Sequence, residues 1–246
     1  MTAGVHFLDA KGPDGLRIYA IGDVHGRLDL LAKMHDSIRT HLEEQPVADW
    51  RVIHLGDYVD RGPDSRGVLD FLVASRQRDE RVLALAGNHD VAFLDFLDEP
   101  DPDGLFAHYG GRQTALSYGV SMNFADPVAF AAQHEAFSKA VPASHHRFVQ
   151  GLPFSLSIGD FFFCHAGIRP GVALDSQDPV DLIWIREKFL SYGELHPKLV
   201  VHGHTPSSEP EVLSNRINVD TGAFMSGVLT ALVIEGADKQ IMQVSE

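Results

Sequence analysis

The sequence predicts an α/β (α+β) fold in which a parallel first sheet packs against a second, mixed sheet. Residues 16–87 alternate apolar strand-like runs with helical periodicity in the order β-α-β-α-β, which implies parallel pairing through right-handed crossovers. After Leu152 the pattern turns to short alternating runs separated by Gly-containing turns, the signature of a sheet with antiparallel neighbours. Three strand ends of the first region each carry Gly followed by Asp or Asn. In open α/β sheets ligands sit beyond the carboxyl ends of the strands, so those turns are where chemistry is expected.

Taken in order, residues 1–15 read as a loose start and a turn through Gly12-Pro13-Asp14-Gly15. A strand over 16–22 leads to an amphipathic helix over about 28–43, with Leu30, Leu31, Met34 and Ile38 on one face and Pro46 ending the region. A strand over 52–56 follows, then a helix begun by Pro63 and capped by Asp64 or Ser65, which turns Val68, Leu69 and Leu72 to the sheet. A strand over 81–87 completes the run. Residues 91–97 look helical, Glu99-Pro100-Asp101-Pro102-Asp103-Gly104 breaks the chain, and helices are expected around 105–118, 127–140 and 143–150. Later strands are expected over 154–158, 161–165, 198–202, 216–219, 228–234 and 240–244. A helix from Asp178 or Pro179 runs through Trp184, Arg186 and Leu190.

At 246 residues and 44% hydrophobic content the chain fits one large domain, or one domain with an insertion, around a sizeable core. No apolar run approaches the roughly 20 residues that cross a bilayer, and no basic-then-hydrophobic leader marks export, so no membrane partner is expected. Cys164 is the only cysteine, which suits a reducing, cytoplasmic setting, and its Phe161-Phe162-Phe163-Cys164 context reads as a small buried hydrophobe, against the alternative of a catalytic thiol. The net charge of -14, with 34 acidic against 20 basic residues, disfavours a nucleic acid duplex as partner.

The three strand-end motifs are Gly22-Asp23-Val24-His25-Gly26, Gly56-Asp57-Tyr58-Val59-Asp60-Arg61-Gly62 and Gly87-Asn88-His89-Asp90. Cys164-His165-Ala166-Gly167, His202-Gly203-His204-Thr205-Pro206 and Asn218-Val219-Asp220-Thr221-Gly222 follow later in the chain. In this order they resemble the phosphoprotein phosphatase family of calcineurin-like metallophosphoesterases, over nearly the whole chain. Asp90 stands where the best-known members carry Glu, and His-Ala-Gly where many carry His-Gly-Gly, which suggests a bacterial-type branch.

That resemblance implies a two-sheet sandwich flanked by helices over 1–246, with a helical cap at about 91–151. It implies one metal on Asp23, His25 and Asp57 and a second on Asp57, Asn88, His165 and His204, with manganese favoured and iron, zinc or cobalt open. Asp57 has two oxygens and can bridge ions about 3.5–4 Å apart, and oxygen plus imidazole donors without thiolate suit those metals better than calcium or magnesium. His202 competes with His204 for the last position. By resemblance Arg61 holds phosphate, Asn88 also faces substrate, and His89, oriented by Asp60, protonates the leaving group, a general-acid role worth roughly 10²–10⁴-fold. Arg186 is either a second phosphate arginine or an exposed helical one, and His108-Tyr109-Gly110-Gly111-Arg112 is either a surface turn or a substrate-facing loop. His35, His41, His134, His145 and His146 fit polar helix faces and receive no role.

The activity implied first is that of a manganese-dependent protein phosphatase, with hydroxide held between the metals attacking phosphoserine or phosphothreonine. The alternative is a phosphoanhydride hydrolase acting on diadenosine tetraphosphate or a related nucleotide, and a third is an inactive metal-binding scaffold. The expected partners are accordingly a phosphorylated protein or a small phosphoester or nucleotide.

Overall fold

The computed structural model of the chain describes residues 4–246, so the expected loose start begins outside the described residues. Strands β1 (Leu16–Ile21), β2 (Asp49–His54) and β3 (Val82–Ala84) pair in parallel, separated by α1 (Leu28–Glu44) and α2 (Ser65–Arg78). Side chains alternate across a strand. Tyr19 and Ile21 of β1 therefore pack with Leu30, Leu31, Met34, Ile38, Val68, Leu69 and Leu72 from the two helices, while Ile18 and Ala20 face the other way. Asp64 caps α2, its carboxylate accepting from the Gly67 N–H at 2.8 Å. The strands β2 and β3 stop at His54 and Ala84, earlier than expected, which leaves the Gly-Asp and Gly-Asn turns free of the sheet.

Between β3 and the next strand lie α3 (Asn88–Asp98), α4 (Leu105–His108), α5 (Gly111–Ser117), α6 (Pro127–Ala140) and α7 (Ala143–Gln150). Phe93, Phe96, Phe106 and Phe137 pack ring against ring, Phe106 stacked on Phe96 and Phe137, and Phe93 edge-on to Phe137, and extend the α1/α2 core into this region. Two expectations change here. The helix expected over 105–118 is two helices, because Gly110 has φ 121° and its bare backbone lies against the Arg61 backbone, where a Cβ would collide. Helix α3 starts at Asn88 rather than 91, its first turn closed by Asp90, whose carboxylate accepts from the Gly87 N–H at 2.9 Å.

The second sheet has the order β4-β5-β6-β8-β7, from β4 (Ser155–Ile158), β5 (Phe161–Cys164), β6 (Leu199–His202), β7 (Glu211–Val212) and β8 (Arg216–Asn218), and its three central strands are parallel. Phe161 and Phe163 fill the space between the sheets, while Phe162 and Cys164 face α8 (Pro179–Trp184) and α9 (Glu187–Leu190). A strand buried on both faces reads as a continuous apolar run, which accounts for the Phe-Phe-Phe-Cys segment. The layers are thus helix, sheet, sheet, helix, the expected sandwich.

The last two strands, β9 (Val228–Glu235) and β10 (Asp238–Ser245), return to the first sheet in the order β10-β9-β1-β2-β3, rather than extending the second. The single helix expected through Arg186 is instead α8 and α9, broken at Ile185-Arg186, where Arg186 has φ -130° and ψ -98°. The chain also forms β7 and α10 (Ala223–Ser226), neither of which has a signal in the local sequence pattern. Among the described residues no helix is long and apolar enough to cross a membrane.

Candidate active site

The carboxyl ends of both sheets' parallel strands point to one place. Asp23 and His25 follow β1, Asp57, Asp60 and Arg61 follow β2, and Asn88 and His89 open α3 just after β3. From the second sheet His165 follows β5 and His204 follows β6. Among the described residues, five other than glycine have positive φ: His25, Asp57, Asp60, Arg61 and His204. All five belong to this set, and a left-handed backbone costs a residue with a Cβ about 1–2 kcal/mol. Strain of that kind persists only where the surrounding structure over-determines it, and such strain clusters at active sites and ligand clamps. The packing is tight enough that a Cβ at Gly56 would lie 2.6 Å from the Gly87 nitrogen, and one at Gly203 would collide with Asp23 Oδ1.

The donor atoms converge. His25 Nδ1 donates to the Val59 carbonyl at 2.7 Å, which leaves Nε2 facing Asp57 Oδ2 at 3.4 Å. His165 Nδ1 donates to the Leu55 carbonyl at 3.0 Å, and its Nε2 faces Asn88 Oδ1 at 3.0 Å, His204 Nδ1 at 3.2 Å and Asp57 Oδ2 at 3.4 Å. A carbonyl only accepts, so Nδ1 of each ring carries a proton; with the rings neutral their Nε2 atoms present lone pairs, and acceptors then face acceptors unless a proton or a cation lies between them. The electrostatics report the same demand for positive charge. Burial opposes charge on His165, yet Asp57 and Asp23 push it up to about 10, while burial and then Asp220 hold Asp23 well above the usual carboxylate range. Burial holds His25 down to about 3 and His204 down to about 2, so both stay neutral and able to ligate. Divalent cations fit this donor set.

Among the described residues the candidate ligand atoms fall into two groups, His25-Asp57-His89 and Asp57-His165-His204, within each of which the atoms lie no more than 4.8 Å apart, and Asp57 belongs to both. Asp23 falls outside either group, although its carboxylate accepts from the His204 N–H at 3.1 Å and lies 4.0 Å from His165 Nδ1. His89 is held differently, with Nδ1 2.7 Å from Asp60 Oδ2 and Nε2 3.1 Å from Arg61 Nη2. Burial works against its charge, but Asp57 and Asp60 outweigh burial and raise its pKa. Asp60 is fully buried, and Thr114 Oγ1 donates to its Oδ1 at 2.7 Å. Arg186 reaches the site from the break between α8 and α9, its Nε 3.0 Å from His204 Nε2.

Some contributors carried no assignment on sequence. Asp90 accepts from the N–H groups of Asp57 at 2.8 Å and Tyr58 at 2.9 Å, and so fixes the turn that presents Asp57. Asp220 is buried beside the carboxylates and raised to about 6, by burial first, with the Gly222 N–H opposing. Its Asn-Val-Asp-Thr-Gly motif was visible. Thr114 and Phe224, whose ring lies 4.7 Å from the Arg61 guanidinium, sit in segments without a local signal. His202 is buried at the end of β6, with its ring edge-on to Phe189, away from the converging donors. Against expectation, His145 is not on a polar face. It is buried between Tyr118 and Asp70, at 2.7 and 3.0 Å. Cys164 is buried, and burial raises its thiol pKa, which leaves it without thiolate character.

A family model described as calcineurin-like phosphoesterase matches residues 16–224. The bis(5'-nucleosyl)-tetraphosphatase PrpE (asymmetrical) of Anoxybacillus flavithermus is 27% identical over 242 residues, covering 86% of this chain and 88% of that protein. A crystal structure described as a candidate diadenosine tetraphosphatase superposes with TM-score 0.64 at 18% identity, over 94% of this chain and 98% of its own. A protein serine/threonine phosphatase from Saccharomyces cerevisiae superposes at 0.57 and 13% identity, over 94% and 80%. At those identities the two structures speak for the fold alone.

Proposed function

The chain belongs to the calcineurin-like phosphoesterase family of metal-dependent phosphatases, and on that premise we propose that it hydrolyses a phosphoanhydride bond of a dinucleoside polyphosphate such as diadenosine tetraphosphate. The observation that carries the substrate is the extent of the PrpE match. The likeness to a protein named for that substrate holds at 27% identity over 86% of this chain, whereas the serine/threonine phosphatase aligned over 94% of it shares 13% identity and speaks for the fold alone.

In this reading Asp23, His25 and Asp57 hold one divalent cation, and Asp57, Asn88, His165 and His204 hold another, with manganese first and iron, zinc or cobalt open. Bound cations would supply Lewis-acid charge at the phosphoryl group and water acidic enough to ionise near neutral pH. The other steps belong to the chain. Arg61, as a planar and permanently charged fork, clamps the phosphoryl oxygens, assisted by Arg186. Its move onto phosphate frees His89 Nε2, which Arg61 otherwise occupies at 3.1 Å. That nitrogen can then carry the proton for the leaving oxygen. Asp60 keeps the Nδ1 proton and fixes the ring.

The phosphoserine/phosphothreonine reading, ranked first on sequence, uses the same site, but the relatives' names back the anhydride better. Values of kcat/KM for diadenosine tetraphosphate and a phosphoserine peptide, measured side by side in manganese buffer, decide between them. A higher value for the dinucleotide is expected, and dephosphorylation of the peptide alone would restore the first ranking.

A further inference from the structure

Two cavities open beside the site residues, and they differ in charge. One, of about 260 Å³ beside Asn88 and Trp184, carries Asp95, Glu99 and Asp101 and no basic residue. The other, of about 460 Å³, is lined by Arg61, His108, Tyr109, Arg112 and Phe224 and by no carboxylate. In a chain of net charge -14, an acid-free cavity with two arginines is a local reversal of the field. Its volume falls within the roughly 300–1,000 Å³ of small-molecule sites.

The cationic cavity is tied to the reacting groups. Its wall Arg61 reaches His89 Nε2, and its wall Phe224 lies under the Arg61 guanidinium at 4.7 Å and edge-on to His25 at 5.4 Å. The helix α5, which bears Arg112, is docked on the same turn. Thr114 Oγ1 accepts from the Asp60 N–H at 2.9 Å and donates to Asp60 Oδ1, and the Gly110 backbone lies against that of Arg61. Arg112 is therefore positioned relative to Arg61, although its side chain is exposed. Tyr109, 57% exposed at the rim, offers a free aromatic face.

We propose that this cavity is the subsite for the departing half of a dinucleoside polyphosphate, with Arg112 and His108 on the phosphates beyond the one held by Arg61, and Tyr109 and Phe224 against the base. The inference rests on the dinucleoside reading. Guanidinium forks match phosphate oxygens, and bases stack on aromatic faces. The acidic cavity beside Asn88 and Trp184 repels a phosphate chain, which favours the cationic cavity for it.

The test compares wild type with Arg112→Gln, Arg112→Glu and Tyr109→Ala, exposed positions whose replacement leaves the core intact. Hydrolysis of diadenosine tetraphosphate and of p-nitrophenyl phosphate is measured in manganese buffer, together with inhibition of the latter by ATP. Arg112→Glu should lower the ratio of the two kcat/KM values by about tenfold or more, the loss of one charge-assisted contact, mainly through KM, and should weaken ATP inhibition by a similar factor. An unchanged ratio in variants of an enzyme that does split the dinucleotide overturns the subsite, as does failure of ATP to inhibit wild type. If wild type leaves the dinucleotide intact while Arg112→Glu still weakens ATP inhibition, the substrate reading falls and the subsite stands.

Discussion

Replacing Arg61 by Ala and by Gly separates what its side chain does from what its backbone costs. With φ 67°, the residue sits in left-handed space, where a Cβ costs about 1–2 kcal/mol and glycine is at ease. Glycine gives back about 0.4–1 kcal/mol through its looser unfolded chain. Arg61→Gly should thus be more stable than Arg61→Ala by about 0.5–1 kcal/mol. Both variants lose the contact with the Phe224 ring at 4.7 Å, worth about 0.5–1 kcal/mol at a partly exposed site. On activity the two should agree. A guanidinium bonded to phosphate is worth about 1.5–3 kcal/mol, so each should lose about 10- to 150-fold in kcat/KM. Urea denaturation and p-nitrophenyl phosphate kinetics read the two effects separately. Equal stability of Ala and Gly would refute the strain argument, and wild-type kcat/KM in Arg61→Ala would remove Arg61 from the phosphate.

Other consequences follow from the same geometry. Asp60→Asn removes the charge that orients His89 at 2.7 Å, and should slow phenyl phosphate, with its basic leaving group, by about 100-fold more than p-nitrophenyl phosphate. Equal losses on both would contradict a general-acid role for His89. Gly203→Ala drives a Cβ into Asp23 Oδ1, so calorimetry should register weaker manganese binding, along with about 1–3 kcal/mol of lost stability. Unaltered binding would detach Asp23 from the metal site. The rings of His35 and His54 are parallel with centroids 5.1 Å apart and their Nε2 atoms 3.1 Å apart, and burial holds His35 down to about 4 and His54 well below the usual value. Below about pH 6.5 the unfolded chain takes up protons that the folded pair refuses, so their contribution is full above that pH and is lost as pH falls toward 4. The slope of unfolding free energy against pH over that window should flatten in His35→Leu, and an identical slope would exclude the pair as its source.

The strand-end motifs were legible because a Gly-Asp or Gly-Asn turn after an apolar run is a local signal. What escaped the sequence was set by non-local contacts. The alternation in β9 and β10 fits an edge of either sheet, and only the pairing of β9 with β1, which sets Ile234 beside Ile18 and Leu232 beside Ala20 on the inner face, selects the first. Residues 105–118 carry helical periodicity, yet the close approach of Gly110 to Arg61 splits them. Continuous helical periodicity through Arg186 likewise hid the break that lets its guanidinium reach His204. His145 looked solvated because its partners, Tyr118 and Asp70, are distant in sequence.

The central claim is that hydrolysis depends on cations held by the Asp57 cluster. Its most direct test is p-nitrophenyl phosphate hydrolysis by chelator-stripped protein titrated with manganese, with bound metal counted in parallel. The account predicts no turnover without metal and full recovery as binding saturates at two ions per chain. Turnover that survives stripping, or silence with both ions bound and diadenosine tetraphosphate also left intact, would contradict it.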